Sequence, residues 1–242
     1  MSRENKAVVL EREGALVTLT LNRPEVLNAY NRVMRDEIFE ALEFVAATPE
    51  VRVLLVQGGG RAFGTGGDLS EFGMAASPLE ARETRGRRDV WGLWSTLPCL
   101  TIASVHGLAV GGGFEMALLC DLLIAADTAR FRLPETALGT LPGVGGTQTL
   151  PRAARLGAAA SILLAGREIS GQEAGRLGLA QWVFPAGSLR RRAHSLASAL
   201  AARPAEVLEA AREVSRQAGG LSLDEGLRLE ARLAKRLRQT KK

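Results

Sequence analysis

The chain has 242 residues, with 31 Lys+Arg against 26 Asp+Glu, two Cys, 9 Pro and 27 Gly, a formal net charge of +5 and a sequence pI near 9.8. That length suits one large domain or one domain with an appendage, and 46% hydrophobic residues exclude general disorder. Acidic residues such as Asp121 and Asp127 interrupt the apolar stretches before any reaches the ~20 residues of a membrane span, so no membrane association is expected.

Cys99 and Cys120 lie among apolar neighbours and are too few for a disulfide framework, so they read as core thiols in a reducing compartment. The N-terminus carries acid early and has no apolar segment of the secretory kind, which makes the cytoplasm the expected location. The basic balance raises nucleic acid as a partner, with Arg82, Arg85, Arg87 and Arg88 on one expected helix and Arg190, Arg191 and Arg192 on another. Glu80, Glu83 and Asp89 offset the first cluster and aromatics for base stacking are scarce beside both, so a solvated face is the expectation and nucleic acid is not.

Residues 7–21 form two β-prone runs about Gly14 and predict a hairpin. After Asn28 the spacing of Val33, Met34, Ile38, Leu42 and Val45 is helical, and 51–57 reads as a buried strand closed by Gly58, Gly59 and Gly60. A glycine-rich loop over 61–73, a charged helix over 78–97 and a buried strand over 100–105 follow. Gly111, Gly112 and Gly113 open a helix that runs to about Cys120, and 122–126 is a further strand. Buried runs alternating with helices predict a largely parallel sheet in an α/β domain. From about residue 151 onward the pattern is almost wholly helical, with helices over 152–164, 170–177, 188–202, 204–217 and 222–238. The expected organisation is an α/β core over residues 1–185 and a helical region over 186–242.

Several chemistries are excluded by spacing. Gly111-x-Gly113 has Met116, and Gly143-x-Gly145 has Gln148, where a dinucleotide fingerprint needs glycine or alanine, and no phosphate loop of the Gly-x4-Gly-Lys-Ser/Thr kind occurs. His106 and His194 belong to no metal-spaced cluster, and no Gly-x-Ser-x-Gly elbow is present, so no metal and no serine triad is expected. His106 itself reads as structural.

Two glycine clusters, 62–69 and 107–115, each follow a buried strand, and the second ends in a helix. Free N–H groups at a helix start attract negative charge, and the missing Cβ lets a ligand oxygen come close. Two such loops could supply paired donors to one oxygen, an oxyanion hole suited to a carbonyl that becomes an enolate. Glu115 stands in the first turn of an otherwise apolar helix and Glu135 follows Pro134 ahead of the Leu141–Gly146 turn. Buried carboxylates need hydrogen bonds or a raised pKa, and both suit acid–base work. Spacing alone leaves Glu115 equally readable as a carboxylate complementing the helix dipole, and Glu135 as a surface residue.

At these residues the chain resembles the crotonase superfamily, the enoyl-CoA hydratases and isomerases. The resemblance is carried by Asn22-Arg23-Pro24 with Asn28-Ala29, Ala62-Phe63 through Gly66-Gly67-Asp68, Gly107 through Glu115 with Cys120-Asp121, Phe131 through Gly146-Thr147-Gln148, and Gly166 through Gly178-Leu179. It implies a crotonase-like spiral of βαβ units with a C-terminal helical region that serves oligomerisation and covers the active site, in homotrimers that often pair into hexamers.

By position it implies an oxyanion hole from the N–H groups of Gly67 and Gly112 and an acid–base pair of Glu115 and Glu135. Val26, Leu27, Thr65, Asp68 and Leu69 fall where the family lines the adenine and pantetheine path, and Gly143 falls where it keeps an N–H near the reacting acyl end. The implied substrate is an acyl-CoA thioester, with no separate cofactor, because coenzyme A is part of the substrate. Having both glutamates favours hydration of a 2-enoyl-CoA over isomerisation, 3-hydroxyacyl-CoA dehydration, or a non-catalytic or RNA-binding role.

The chain departs from the family pattern at Thr65, where alanine is common, and at Ser70, where many hydratases carry Lys or Arg near the CoA phosphates. It also stops short of the family's basic ending. Residues 225–242 nevertheless carry seven basic groups against Glu225 and Glu230, a surplus that accounts for the whole net charge of +5. A CoA-phosphate or subunit contact is the expected use of that segment.

Overall fold

The computed structural model describes residues 6–71 and 88–239. The expected charged helix over 78–97 and the arginines Arg82, Arg85 and Arg87 therefore lie largely outside the described residues, and Val90–Ser95 is its helical part here (α2).

The hairpin forms as expected from β1 (Val8–Glu13) and β2 (Leu16–Leu21), paired antiparallel about the left-handed Gly14. Helix α1 (Arg32–Ala46) follows, capped by Asn31, whose side chain accepts the Met34 N–H at 2.9 Å. Met34, Ile38, Ala41, Leu42 and Val45 make its buried stripe, while Val33, expected in that stripe, is 56% exposed. Residue 33 lies a full helical step off the core-facing line of 34, 38, 41 and 45.

Strands β3 (Val53–Gly58), β4 (Leu100–Val105), β6 (Leu122–Ala126) and β9 (Trp182–Phe184) extend the hairpin into a six-stranded sheet of order β1-β2-β3-β4-β6-β9, parallel from β2 onward. Every residue of β4 is buried, which matches a strand covered on both faces. A second sheet has the order β5 (Leu108–Val110), β7 (Arg130–Arg132), β8 (Ile169–Ser170), the first pair parallel and the second antiparallel.

The helices are α3 (Gly112–Leu119), α4 (Gly146–Ala153), α5 (Leu156–Ala165), α6 (Gly171–Arg176), α7 (Ala186–Ala201), α8 (Ala205–Gln217) and α9 (Leu223–Gln239). The helix expected over 152–164 is thus two, α4 and α5, broken at Ala154, where the backbone turns extended with ψ 163°. The region after residue 151 also contains β8 and β9, which the helical pattern did not reveal. Leu189, Ala193, Ala197 and Ala201 of α7 belong to the main core, whereas Ala210 of α8 and Leu229 and Leu233 of α9 form a small separate one. Asp121, whose side chain is 8% exposed, ties α8 to the sheet. Its carboxylate accepts from Thr101 N–H and hydroxyl and from the guanidinium Nε of Arg212 (2.8 Å) and Arg216 (2.7 Å). Among the described residues no helix is long and apolar enough to cross a membrane.

Candidate active site

The glycine-rich segments leave the carboxyl ends of β3 and β4, where ligand crevices of parallel sheets form. They are stitched together by backbone. Gly64 N–H donates to Leu108 O and Val110 N–H to Gly64 O, while Tyr30 N–H donates to Gly66 O and Asp68 N–H to Tyr30 O. The contact is so close that a Cβ on Gly113 would stand 2.1 Å from Gly64 O, and one on Gly66 would stand 3.1 Å from Gly112 N. Gly66 and Gly111 have φ of +90° and +53°, which side chains rarely tolerate. Glycine is required here for both approach and backbone conformation. Among the described residues neither the Gly67 nor the Gly112 N–H has a hydrogen-bond acceptor, as the first turn of a helix would leave it for Gly112.

Asn28 anchors the first loop. It is fully buried with φ +57°, its Oδ1 accepts Arg23 N–H at 2.8 Å, and its amide donates to the carbonyls of Gly59, Ala62 and Phe63. Arg23 in turn donates to Ala29 O and pairs with Asp68 at 3.0 Å. Hydrogen bonds from Ser70 and the Arg23 guanidinium hold the Asp68 carboxyl below its ordinary value. Thr65 hydroxyl reaches Leu27 O at 3.3 Å. Leu27, Thr65 and Asp68 are thereby brought to one place, next in sequence to the exposed Val26 and Leu69 (71% exposed).

Glu115 stands in the first turn of α3, and Glu135 approaches Gly111, the residue that caps its N-terminus. Glu115, 1% exposed, lies inside the turn 143–146, and its Oε1 accepts the N–H of Val144 at 2.8 Å and of Gly146 at 2.7 Å. Burial pushes its pKa up, opposed by the N–H groups of Gly146, Val144, Gly143 and Gly145. Gly143 is exposed, with open space where a Cβ would stand. Glu135 opens a short 3-10 turn, and its Oε1 is 3.0 Å from where a Cβ on Gly111 would be. Burial and then the charge of Glu115 raise its pKa, and its buried Oε2 has no protein partner among the described residues.

The structure thus brings Glu115, Glu135, Gly112 and Gly67 to one locus, with the Leu27–Asp68 patch continuing from Gly67. Two features escaped sequence reasoning, the N–H cradle around Glu115 and the ring of Tyr30 against Gly112. For the first, the small residues of Gly143-Val144-Gly145-Gly146 were the available signal; for the second there was none. No group of three or more His, Cys, Asp or Glu able to hold a metal occurs among the described residues.

A mixed α/β fold that holds two desolvated carboxylates close to glycine N–H groups lacking acceptors is the arrangement of an enzyme suited to proton transfer next to a carbonyl. A family model described as enoyl-CoA hydratase/isomerase matches residues 11–242, and the chain belongs to that family. The chain is 37% identical over 226 residues to the 2,3-dehydroadipyl-CoA hydratase of Escherichia coli, covering 93% of this chain and 88% of the relative. An enoyl-CoA hydratase structure from Geobacillus kaustophilus superposes with a TM-score of 0.89 at 37% identity, covering 97% of this chain and 90% of that one. A Thermobifida fusca structure, determined in complex with CoA, superposes with a TM-score of 0.88 at 30% identity, covering 98% and 95%.

Proposed function

We propose that the protein hydrates the C2–C3 double bond of a 2-enoyl-CoA thioester. The carrying observation is that Glu115 and Glu135, both with raised pKa, flank the start of α3 where the Gly112 N–H lacks an acceptor beside the Gly66–Gly67 loop. Hydration places hydroxide on C3 and a proton on C2, with charge passing through the thioester oxygen. Glu115 takes the proton from water and Glu135 delivers one to C2, the two sharing the water between them. The N–H groups of Gly67 and Gly112 hold the thioester oxygen as it gains charge. A carboxyl whose pKa burial raises suits this exchange better than one at its ordinary pKa.

In this reading Val26, Leu27, Thr65, Asp68 and Leu69 line the path of the CoA moiety, and the N–H of Gly143 faces the reacting acyl end. The relative determined with CoA supports that substrate class. CoA enters as part of the substrate, so the reaction uses no separate cofactor. Residues 186–242 serve assembly and cover of the site in a homotrimer or hexamer. The exposed leucines Leu138, Leu141, Leu156, Leu164, Leu223 and Leu227 support an apolar contact between copies. The cytoplasm is the proposed compartment.

The test is loss of enoyl-thioester absorbance on adding crotonyl-CoA and a panel of longer and substituted enoyl-CoAs. Glu115→Gln and Glu135→Gln should each lower turnover by about 10²-fold while CoA binding persists. Near-wild-type turnover in both variants would remove the acid–base assignment, and isomerisation of a 3-enoyl-CoA without hydration would replace the reaction.

A further inference from the structure

Tyr30 touches both loops that carry the donor N–H groups, by two different means. Its main chain pairs around Gly67 as an isolated parallel bridge, with Tyr30 N–H on Gly66 O at 2.8 Å and Asp68 N–H on Tyr30 O at 2.9 Å. In parallel pairing the bonds go to the residues on either side of the partner, so the partner's own N–H projects away from the pairing strand. The bridge therefore turns the Gly67 N–H outward from Tyr30. The ring of the same residue fills the space beside Gly112, where a Cβ would stand 2.6 Å from Cε1 and 3.2 Å from Cζ. The same ring packs in an edge arrangement with Trp91, with centroids 5.7 Å apart at 68°. Trp91 is itself braced by the fully buried Trp94, centroids 6.3 Å apart.

We propose that Tyr30 is a positioning residue for the oxyanion hole, with its main chain directing the Gly67 N–H and its ring acting as the stop against which Gly112 is seated. The inference rests on the reading of Gly67 and Gly112 as the donor pair. A planar side chain packed against Trp91 is stiff, whereas a flexible aliphatic chain would yield and let the helix start drift. Donor geometry set to within fractions of an ångström decides how well charge on the substrate oxygen is met.

The experiment compares wild type, Tyr30→Phe and Tyr30→Leu, with Tyr30→Met in place of leucine where that variant does not fold. Two readings are made: kcat against KM with crotonyl-CoA, and the near-ultraviolet enolate band of bound acetoacetyl-CoA, which reports stabilisation of negative charge at its oxygens. The proposal expects Tyr30→Leu to lose kcat about tenfold or more and to lose much of the enolate band, with KM within about twofold. Tyr30→Phe should restore both. A folded Tyr30→Leu with wild-type kcat and band overturns the proposal, as does a Tyr30→Phe as impaired as the leucine variant, which would assign the effect to the hydroxyl. Wild type that binds acetoacetyl-CoA with no enolate band refutes the donor-pair reading itself, and the inference falls with it.

Discussion

Glu115 and Gly146 fit each other twice over: the Oε1 of Glu115 accepts the Gly146 N–H at 2.7 Å, and a Cβ on Gly146 would stand 2.9 Å from the Glu115 Cγ. The carboxylate is aimed by a turn that has no room for a side chain. Gly146→Ala should therefore push Glu115 out of its cradle, lowering kcat by about 10- to 100-fold and stability by about 1–3 kcal/mol. Crotonyl-CoA turnover and urea unfolding check this, and an alanine variant with wild-type kcat would show that the cradle does not set the carboxylate.

The raised pKa of both glutamates fixes a sign for pH dependence. A carboxyl whose folded pKa exceeds its unfolded value makes a stabilising contribution that is full below the unfolded value and is lost as pH rises through the folded one. Ionisation of the pair thus weighs increasingly against the fold as pH rises. Glu135→Gln should be more heat-stable than wild type at pH 8, with the difference shrinking as pH falls toward the ordinary carboxylate range. Melting curves of both proteins across that window measure it, and a constant difference would contradict the assignment. Wild-type kcat/KM should show its acid limb above the ordinary carboxylate range, as a property of the coupled pair.

Asp121 is the link between the sheet and α8. Asp121→Ala strands Arg212, whose side chain is only 11% exposed, and should cost about 3–5 kcal/mol in urea unfolding. Arg216, at 37% exposure, should cost no more than about 1 kcal/mol on replacement by alanine. Limited proteolysis should cut first near the C-terminal helices of Asp121→Ala. Equal costs at the two positions would show that Arg216, and not the buried pair, carries the attachment.

Asn28→Ala should lose about 3 kcal/mol, because Arg23 N–H and the carbonyls of Gly59, Ala62 and Phe63 lose their partner in a buried place. Asn28→Gly relieves the backbone at φ +57° but restores none of those bonds, so it should fall well short of rescue. Equilibrium unfolding of the two variants checks the order.

Removing residues 235–242 tests the basic ending. If it meets the CoA phosphates, KM for CoA esters should rise more than turnover falls, and the effect should fade at high salt. An unchanged KM would leave the segment as solvated surface.

Much of this fold was legible because burial wrote itself into runs. Residues 53–56 make an unbroken apolar run, Leu100–Val105 is mostly apolar and buried throughout, and the stripe of Met34, Ile38, Leu42 and Val45 marks α1. Short strands left no such mark. Trp182–Phe184 is three residues between helices, and β8 is two, so neither shows a period. In the site, Glu115, Glu135 and the glycine clusters stood out through their spacing. What holds them did not, since Val144 and Gly146 lie 29 and 31 residues from Glu115, and Tyr30 lies still farther from Gly112. Contacts of that range are products of the assembled fold and have no local signature.

The N–H groups of Gly67 and Gly112 belong to the main chain, so no exchange of one side chain for another removes them, proline apart. In the proposed reading, mutation can reassign the groups around such a pair, altering which carbon of a bound acyl chain receives a proton or a nucleophile, while the two donors stay in the chain and only their aim is open to change. The donors are in that sense inheritable separately from the reaction they would serve, and variation at a position such as Glu135 is where a change of reaction would first become visible.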